Sequence, residues 1–307
     1  MKKLSVVVPV YYNEGSLQPL FHELTIVEQA LAERGLAMEL IFVDDGSGDN
    51  SLVELLKIKQ QRPDTRVIKL SRNFGAVHAS RTGTQFVTGD CWTVVAADLQ
   101  DPPALIMKMV ERWLAGCKYV VCVRSGRRDP LTTRIFAAFY YVLLHLFVMK
   151  DYPKQGYDLA LMDKAMLPYM QQSAKNVNPN LYSYWLGFKP ETVYYQRQER
   201  TYGKSRWTFT KKIKFFLDSI LGFSIVPIRM MSAIGILISG LSFAYGLWIA
   251  INALLGRMEV RGFATLVALI VFLLGIVICM LGIIGEYLWR IFDEIGRKPE
   301  AVIDEIY

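Results

Sequence analysis

The chain has little histidine, no paired cysteines and, over two long stretches, no charge at all. Its three histidines, His22, His78 and His145, share no ligand or triad spacing. Histidine-based metal or nucleophile chemistry is therefore not expected. Cys91, Cys117, Cys122 and Cys279 are scattered, with no CxxC pair. That argues against a disulfide scaffold or a zinc site and suits a reducing compartment. No charged residue occurs between Arg229 and Arg257, or between Arg261 and Glu286. The opening residues, MKKLSVVVPVYYNEG, lack a small-residue cleavage site, and their apolar run is only about six residues long, too short for a secretory signal. They read as a buried strand, with the chain starting in the cytoplasm.

What is present is apolar and ordered. The 307 residues suffice for one large domain or two ordinary ones, and a hydrophobic content of 52% points towards a membrane. Residues 4–10 form a continuous apolar run, as expected of a parallel strand covered on both faces. Ser16 then stands where a cap is expected, and Leu17, Leu20, Phe21, Leu24, Val27 and Leu31 recur at helical spacing up to Gly35. Further strands are expected over 38–47, 65–71, 91–97 and 119–125, with helices between them, including one over 49–61. Such alternation predicts an α/β domain with a mostly parallel sheet, binding its ligands at the carboxyl ends of the strands.

After residue 125 the alternation breaks. Residues 135–149 are apolar but too short to span a bilayer comfortably, and read as a core or interfacial helix. The uncharged segments 230–255 and 262–285 are each long enough to cross, as a hairpin with small residues Gly235, Ser239, Ser242 and Gly246 at close-packing spacing. Lys211, Lys212, Lys214 and Arg229 precede the pair, and Arg290, Arg297 and Lys298 follow it. The positive-inside rule then puts both flanks in the cytoplasm. The expected organisation is a cytoplasmic domain (1–207), an amphipathic juxtamembrane segment (208–229), two membrane helices (230–255 and 262–285) and a cytoplasmic tail (286–307).

Polar residues gather at the predicted strand ends: YYNE, DDGS, ADLQD and RSGRR. Asp98 and Gln100 offer hard oxygens from a rigid edge, which suits Mg²⁺ or Mn²⁺ completed by water and a diphosphate. Asp101, before Pro102 and Pro103, reads equally as a ligand or as a helix cap. Asp44 and Asp45 before Gly46 can accept from a ribose or a base edge, or can simply mark a turn.

These stretches carry a resemblance. VVPVYYNEGSL, VDDGSGDNS, LSRNFGAVHASRTG, ADLQDPP, GYDLALMD and RTYGKSRW occur in the order found in family 2 glycosyltransferases of GT-A fold. The likeness is strongest to the branch of dolichol-phosphate mannose synthase and the bacterial polyprenyl-phosphate glycosyltransferases with two C-terminal membrane helices. It extends to LGIIGEYLWRIFDEIGRKP near residue 299.

The resemblance implies roles by position. Pro9, Tyr11, Glu14 and Asp45 match nucleotide-sugar-binding loops, and Asp98 and Gln100 match the metal site. Asp158, Arg200 and Arg206 match catalytic positions; Arg124, Arg128 and Ser205 match positions that hold the acceptor phosphate. It implies inverting transfer of a hexose from a nucleotide sugar, UDP before GDP, to polyprenyl phosphate. The setting would be the inner face of the plasma membrane, with Mg²⁺ or Mn²⁺, no nucleic-acid partner, and a homo-oligomer such as a tetramer.

Two departures stand out. Ala96 replaces the first carboxylate of the usual DxD, and Ala160 replaces an arginine. Fewer protein ligands predict weaker metal binding, not its loss. Asp158 fits either a base or an orienting group. A processive polysaccharide synthase would show QxxRW, a pyrophosphorylase a glycine-rich first loop, and neither is present. A catalytically impaired membrane scaffold of the same fold is the non-enzyme alternative.

Overall fold

The computed structural model describes residues 1–125, 131–197, 209–255, 263–296 and 298–307. Arg128, Arg200, Ser205 and Arg206, named above as site residues, lie outside them.

Contact density divides the chain into two units, Met1–Ser219 with Pro299–Tyr307, and Ile220–Lys298. The first is built on an eight-stranded sheet of order β7-β5-β6-β4-β1-β2-β3-β8. Its strands are β1 (Lys2–Val10), β2 (Leu36–Asp44), β3 (Arg66–Leu70), β4 (Cys91–Val94), β5 (Tyr119–Arg124), β6 (Leu159–Asp163), β7 (Glu191–Tyr195) and β8 (Ile303–Ile306). β1 pairs in parallel with β2 and β4, β2 with β3, and β5 with β7. β6 runs antiparallel between β4 and β5, and β8 antiparallel to β3. The mostly parallel α/β sheet expected from the alternation is therefore what the chain forms.

The central strands explain the apolar runs. Leu4, Val6, Val8 and Val10 are fully buried on one face of β1, and Val7 on the other. On the first face lie Leu17, Leu20, Leu24, Val27 and Leu31 of helix α1 (Leu17–Ala32). Each such side chain contributes roughly 1.5–3 kcal/mol of burial. Ser16 occupies the cap position of α1, but its hydroxyl donates back to the Asn13 carbonyl at 3.2 Å and caps nothing. Helix α2 covers Ser51–Gln61, and α3, Ala76–Thr84, follows β3.

Asp101 is not a helix cap. Helix α4 (Leu105–Leu114) begins after Ala104, and no side chain caps it. Helix α5 (Leu131–Phe147) buries Leu144 but exposes Phe139, Val142 and Leu146, an outward apolar face foreign to a core helix. Short helices α6 (Leu167–Gln172) and α7 (Pro179–Trp185) follow β6, and α8 spans Phe209–Leu221.

The second unit holds two long helices, α9 (Val226–Leu254) and α10 (Phe263–Ile295). Windows of 24 residues in each, Val226–Ile249 and Phe272–Ile295, are long and apolar enough to cross a membrane. Both spans are largely exposed, unlike the mostly buried core helix of a soluble fold. α10 continues to Ile295, and Ile303–Ile306 closes one edge of the sheet, with the Ser71 amide donating to the Val302 carbonyl at 2.9 Å.

Candidate active site

Six strands, β1 to β5 and β7, present their carboxyl ends on one edge, and antiparallel β6 brings its amino end there. The β1–β4 ladder stops at Val7–Val94. Pro9 lies two residues beyond it, where a missing N–H costs no ladder bond. The last bond between the two strands is from the Val95 amide to the Val7 carbonyl at 2.9 Å. Two non-glycine residues on this edge have positive φ, Tyr12 (56°) after β1 and Leu99 (58°) between Asp98 and Gln100. Strained backbone of this kind costs of order 1–3 kcal/mol and gathers at ligand-binding loops.

On the β1–β2 side, Asp45 is buried and organises its neighbours. Its Oδ1 accepts from the Phe74 amide at 2.7 Å; Oδ2 accepts from the Gly75 amide at 2.9 Å and from Asn73 Nδ2 at 3.0 Å. Gly46, with φ +65°, packs on the same loop: a Cβ there would lie 2.6 Å from the Arg72 carbonyl carbon. Burial raises the Asp45 and Asp44 carboxyls above the usual range, against the pull of their hydrogen bonds. Asp44 keeps one oxygen, Oδ1, buried without a hydrogen-bond partner among the described residues.

Glu14 accepts from the Asn50 amide at 3.0 Å at the start of α2, joining the first loop to the second. Tyr11 and Asp45 line a cleft of about 350 Å³ whose walls include Phe74–His78 and Lys175–Pro179, with Phe215 and Asp218 of α8 also lining it. Of the four expected nucleotide-binding residues, Tyr11 and Asp45 thus border a cavity, while Pro9 and Glu14 shape the backbone around it.

On the β4–β5 side the polar groups meet one another. Asp98 is half-buried, its Oδ1 3.2 Å from the Gln100 amide. Gln100 Oε1 accepts from Arg197 Nη2 at 3.0 Å. Asp101, 6% exposed, accepts from the Tyr195 hydroxyl at 2.5 Å and lies 3.5 Å from Arg197 Nε. Arg124 forks onto Asp158: Nη2 donates to Oδ1 at 2.6 Å and Nε to Oδ2. Tyr195 also lies 3.1 Å from Asp158 Oδ2. Burial raises the Asp101 carboxyl, and burial with two neighbouring carboxylates raises the Tyr195 hydroxyl.

Arg124, expected to face an acceptor phosphate, is thus paired with Asp158. Sequence reasoning missed Tyr195 and Arg197. The clue available was the alternating ETVYYQR stretch, a short strand ending in a tyrosine and an arginine.

The donors at Asp98 and Gln100 are hard oxygens two residues apart, and Ala96 presents an exposed methyl where a carboxylate is usual. Among the described residues no cluster of three or more His, Cys, Asp or Glu could hold a metal. The set fits a Mg²⁺-like cation that takes most of its ligands from water and a diphosphate.

A family model described as "Glycosyl transferase family 2" matches residues 5–177. An uncharacterized glycosyltransferase of Synechocystis is 32% identical over 309 residues, 99% of this chain and 96% of that one. The uncharacterized glycosyltransferase YkcC of Bacillus subtilis is 35% identical over 307 residues, covering 99% and 94%. The bactoprenol glucosyl transferase of Shigella phage SfII is 32% identical over 307 residues, covering 98% and 97%. Among solved structures, glucosyl-3-phosphoglycerate synthase of Mycobacterium tuberculosis overlaps 71% of this chain and 81% of that one, at 15% identity and a TM-score of 0.48.

Proposed function

The chain belongs to glycosyl transferase family 2 and is a glycosyltransferase, and from that premise we propose that it moves a hexose from UDP-hexose to polyprenyl (undecaprenyl) phosphate with inversion. Glucose is the first candidate, after the relatives named bactoprenol glucosyl transferase. One observation carries the reading: a carboxylate–arginine site on a sheet edge belongs to the same chain as two membrane-length helices, and those relatives align over 98% of it.

The chemistry follows from the acceptor. A phosphate monoester has its second pKa near 6, so it is largely dianionic at neutral pH and needs no base to attack. Asp158 has both oxygens engaged by Arg124 and Tyr195, the arrangement of an orienting group. The task left to the protein is to bring two anions together. Arg200, Arg206 and Arg128 would clamp phosphate oxygens, where the guanidinium fork gives direction as well as charge. A divalent cation at Asp98 and Gln100 would supply charge neutralisation for the departing nucleoside diphosphate. Tyr11 and Asp45 border the space for the nucleoside, and Asp45 holds the loop that forms its wall.

The lipid acceptor explains the architecture. An isoprenoid keeps its phosphate at headgroup level, and the basic residues flanking the spans favour a cytoplasmic sheet domain. The outward Phe139, Val142 and Leu146 of α5 suit contact with the bilayer surface.

The test is transfer of radiolabelled glucose from UDP-glucose to undecaprenyl phosphate, with Mg²⁺, Mn²⁺ or EDTA, by wild type and Asp98→Ala. Labelled lipid that disappears with EDTA and in the variant is expected. Product that survives both removes the metal from the reading, and no product from any of a panel of nucleotide sugars restores the scaffold alternative.

A further inference from the structure

Glu300 plays no part in the site as described, yet it sits at a junction. It follows α10 by five residues and precedes β8, so it lies on the stretch that returns from the second long helix to the sheet. β8 is fastened along β3, from Leu70–Ile303 to Ile68–Ile306, and Lys69 pairs with Asp304 at 2.6 Å. At the head of this strand the Glu300 carboxylate turns towards α3. Its Oε1 lies 2.8 Å from His78 Nδ1 and 2.9 Å from Arg81 Nη1. The group is largely shielded, with side-chain exposures of 28% for His78, 18% for Glu300 and 10% for Arg81.

What these residues hold matters more than the pairs themselves. His78 ends the Phe74–His78 wall of the 350 Å³ cleft. Arg81, one turn on, reaches the other wall: Nη1 donates to the Ala174 carbonyl at 3.0 Å and Nη2 to the Ser173 carbonyl at 2.5 Å. Lys175, the next residue, opens the Lys175–Pro179 wall. A single carboxylate thus fixes the histidine of one wall and the arginine that tethers the other. Asp45 secures the Phe74–Gly75 end of the same cleft, and Glu300 meets the His78 side chain at the other end.

We propose that Glu300 is a positioning residue for the nucleotide: through His78 and Arg81 it sets the separation of the two cleft walls, so the segment after the second long helix tunes donor affinity. This rests on the assignment of the cleft to the nucleoside diphosphate. Loss of the Glu300 charge leaves Arg81 bound to two carbonyls but frees His78, and the walls then sample wider separations. The nucleotide meets a less organised cleft, while the carboxylates and arginines of the β4–β5 side keep their places.

The experiment uses the full chain in detergent, with Glu300→Gln, Arg81→Gln and the double variant. Two readouts are taken, the Kd of UDP itself and the kcat and KM values for transfer. For Glu300→Gln the expected result is a rise of about three- to five-fold in the Kd of UDP and the KM of the nucleotide sugar. The expected kcat and acceptor KM stay within about two-fold, and the double variant rises by less than the product of the singles, because the two residues act as one unit. An unchanged Kd for UDP overturns the proposal, as does a fall in thermal stability and kcat with no change in Kd, which would mark Glu300 as a fold contact only. Wild type that binds UDP but transfers no sugar leaves the proposal standing on the Kd comparison and refutes the transfer reading instead. Wild type that does not bind UDP overturns both.

Discussion

The two halves of the reaction edge are built in different ways. On the β1–β2 side, Asp45 is answered mainly by backbone: two amides and one side-chain amide hold it, and Gly46 lets the neighbouring chain approach to contact. On the β4–β5 side, Asp101, Asp158 and Gln100 are answered by side chains, namely Arg124, Arg197 and Tyr195. Backbone donors are fixed by the fold and cannot be exchanged. Guanidinium and hydroxyl groups rotate, and can pass from a carboxylate to an arriving phosphate. On the function proposed above, the first half would recognise and the second rearrange.

The contrast can be broken hardest at Asp158. Asp158→Asn removes the charge that holds the Arg124 fork and leaves the guanidinium without its partner. A fall of about 100-fold in kcat is expected, with the KM for the nucleotide sugar little changed, as for loss of a single preorganised electrostatic contact. Equal losses in kcat and donor affinity would show that the halves are not separable.

Next in size is Asp45→Asn. Its single oxygen cannot serve both the Phe74 and Gly75 amides, and its NH₂ faces a donor. One buried N–H left unpaired costs about 1–3 kcal/mol. Lower thermal stability and a weaker donor KM are expected, with kcat nearly kept, the reverse of the Asp158 pattern.

The smallest effect is one of pH. Burial raises the Asp101 carboxyl above its ordinary value of 3.8, so the folded state holds this proton more tightly than the unfolded state. Its contribution to stability therefore falls as pH rises from about 4 through the folded value. Asp101→Asn removes that slope. Thermal melts across pH 4–7, a window of about three units above the ordinary carboxylate value, should show the variant gaining on wild type as pH rises. A difference that is flat with pH would contradict the shift.

The strands were legible where burial is complete. β1, β2 and β5 announce themselves by buried apolar stretches, such as residues 6–8, 40–43 and 119–123, because both faces of the sheet are covered there. β6 and β8 did not, for different reasons. β6 is short and lies within a polar motif whose chemistry drew attention away from its pairing. β8 is an edge strand, mostly exposed, and its IDEI sequence carries none of the continuous apolarity of a central strand. In the candidate site, Asp98, Gln100 and Asp45 stood out by residue type and Asp158 by the resemblance, and the structure places all four along one edge. Their partners did not stand out: that Arg124 meets Asp158, or Tyr195 meets Asp101, is decided by strand order, and no local pattern records it. Asp101 shows the limit, since its place before two prolines suits a cap on local grounds while the fold employs it elsewhere.

The reversed direction of β6 has a consequence for how such a chain can diverge. Because β5 ends and β6 begins on the same side of the sheet, the long excursion between Arg124 and Asp158 departs from the reaction edge and returns to it. A parallel strand would have forced it to come back at the far side. The segment is therefore anchored to the same edge at both ends, with the Arg124–Asp158 pair joining them. Substitutions within it act at the β5–β6 part of the edge, three strands away from β2 and Asp45.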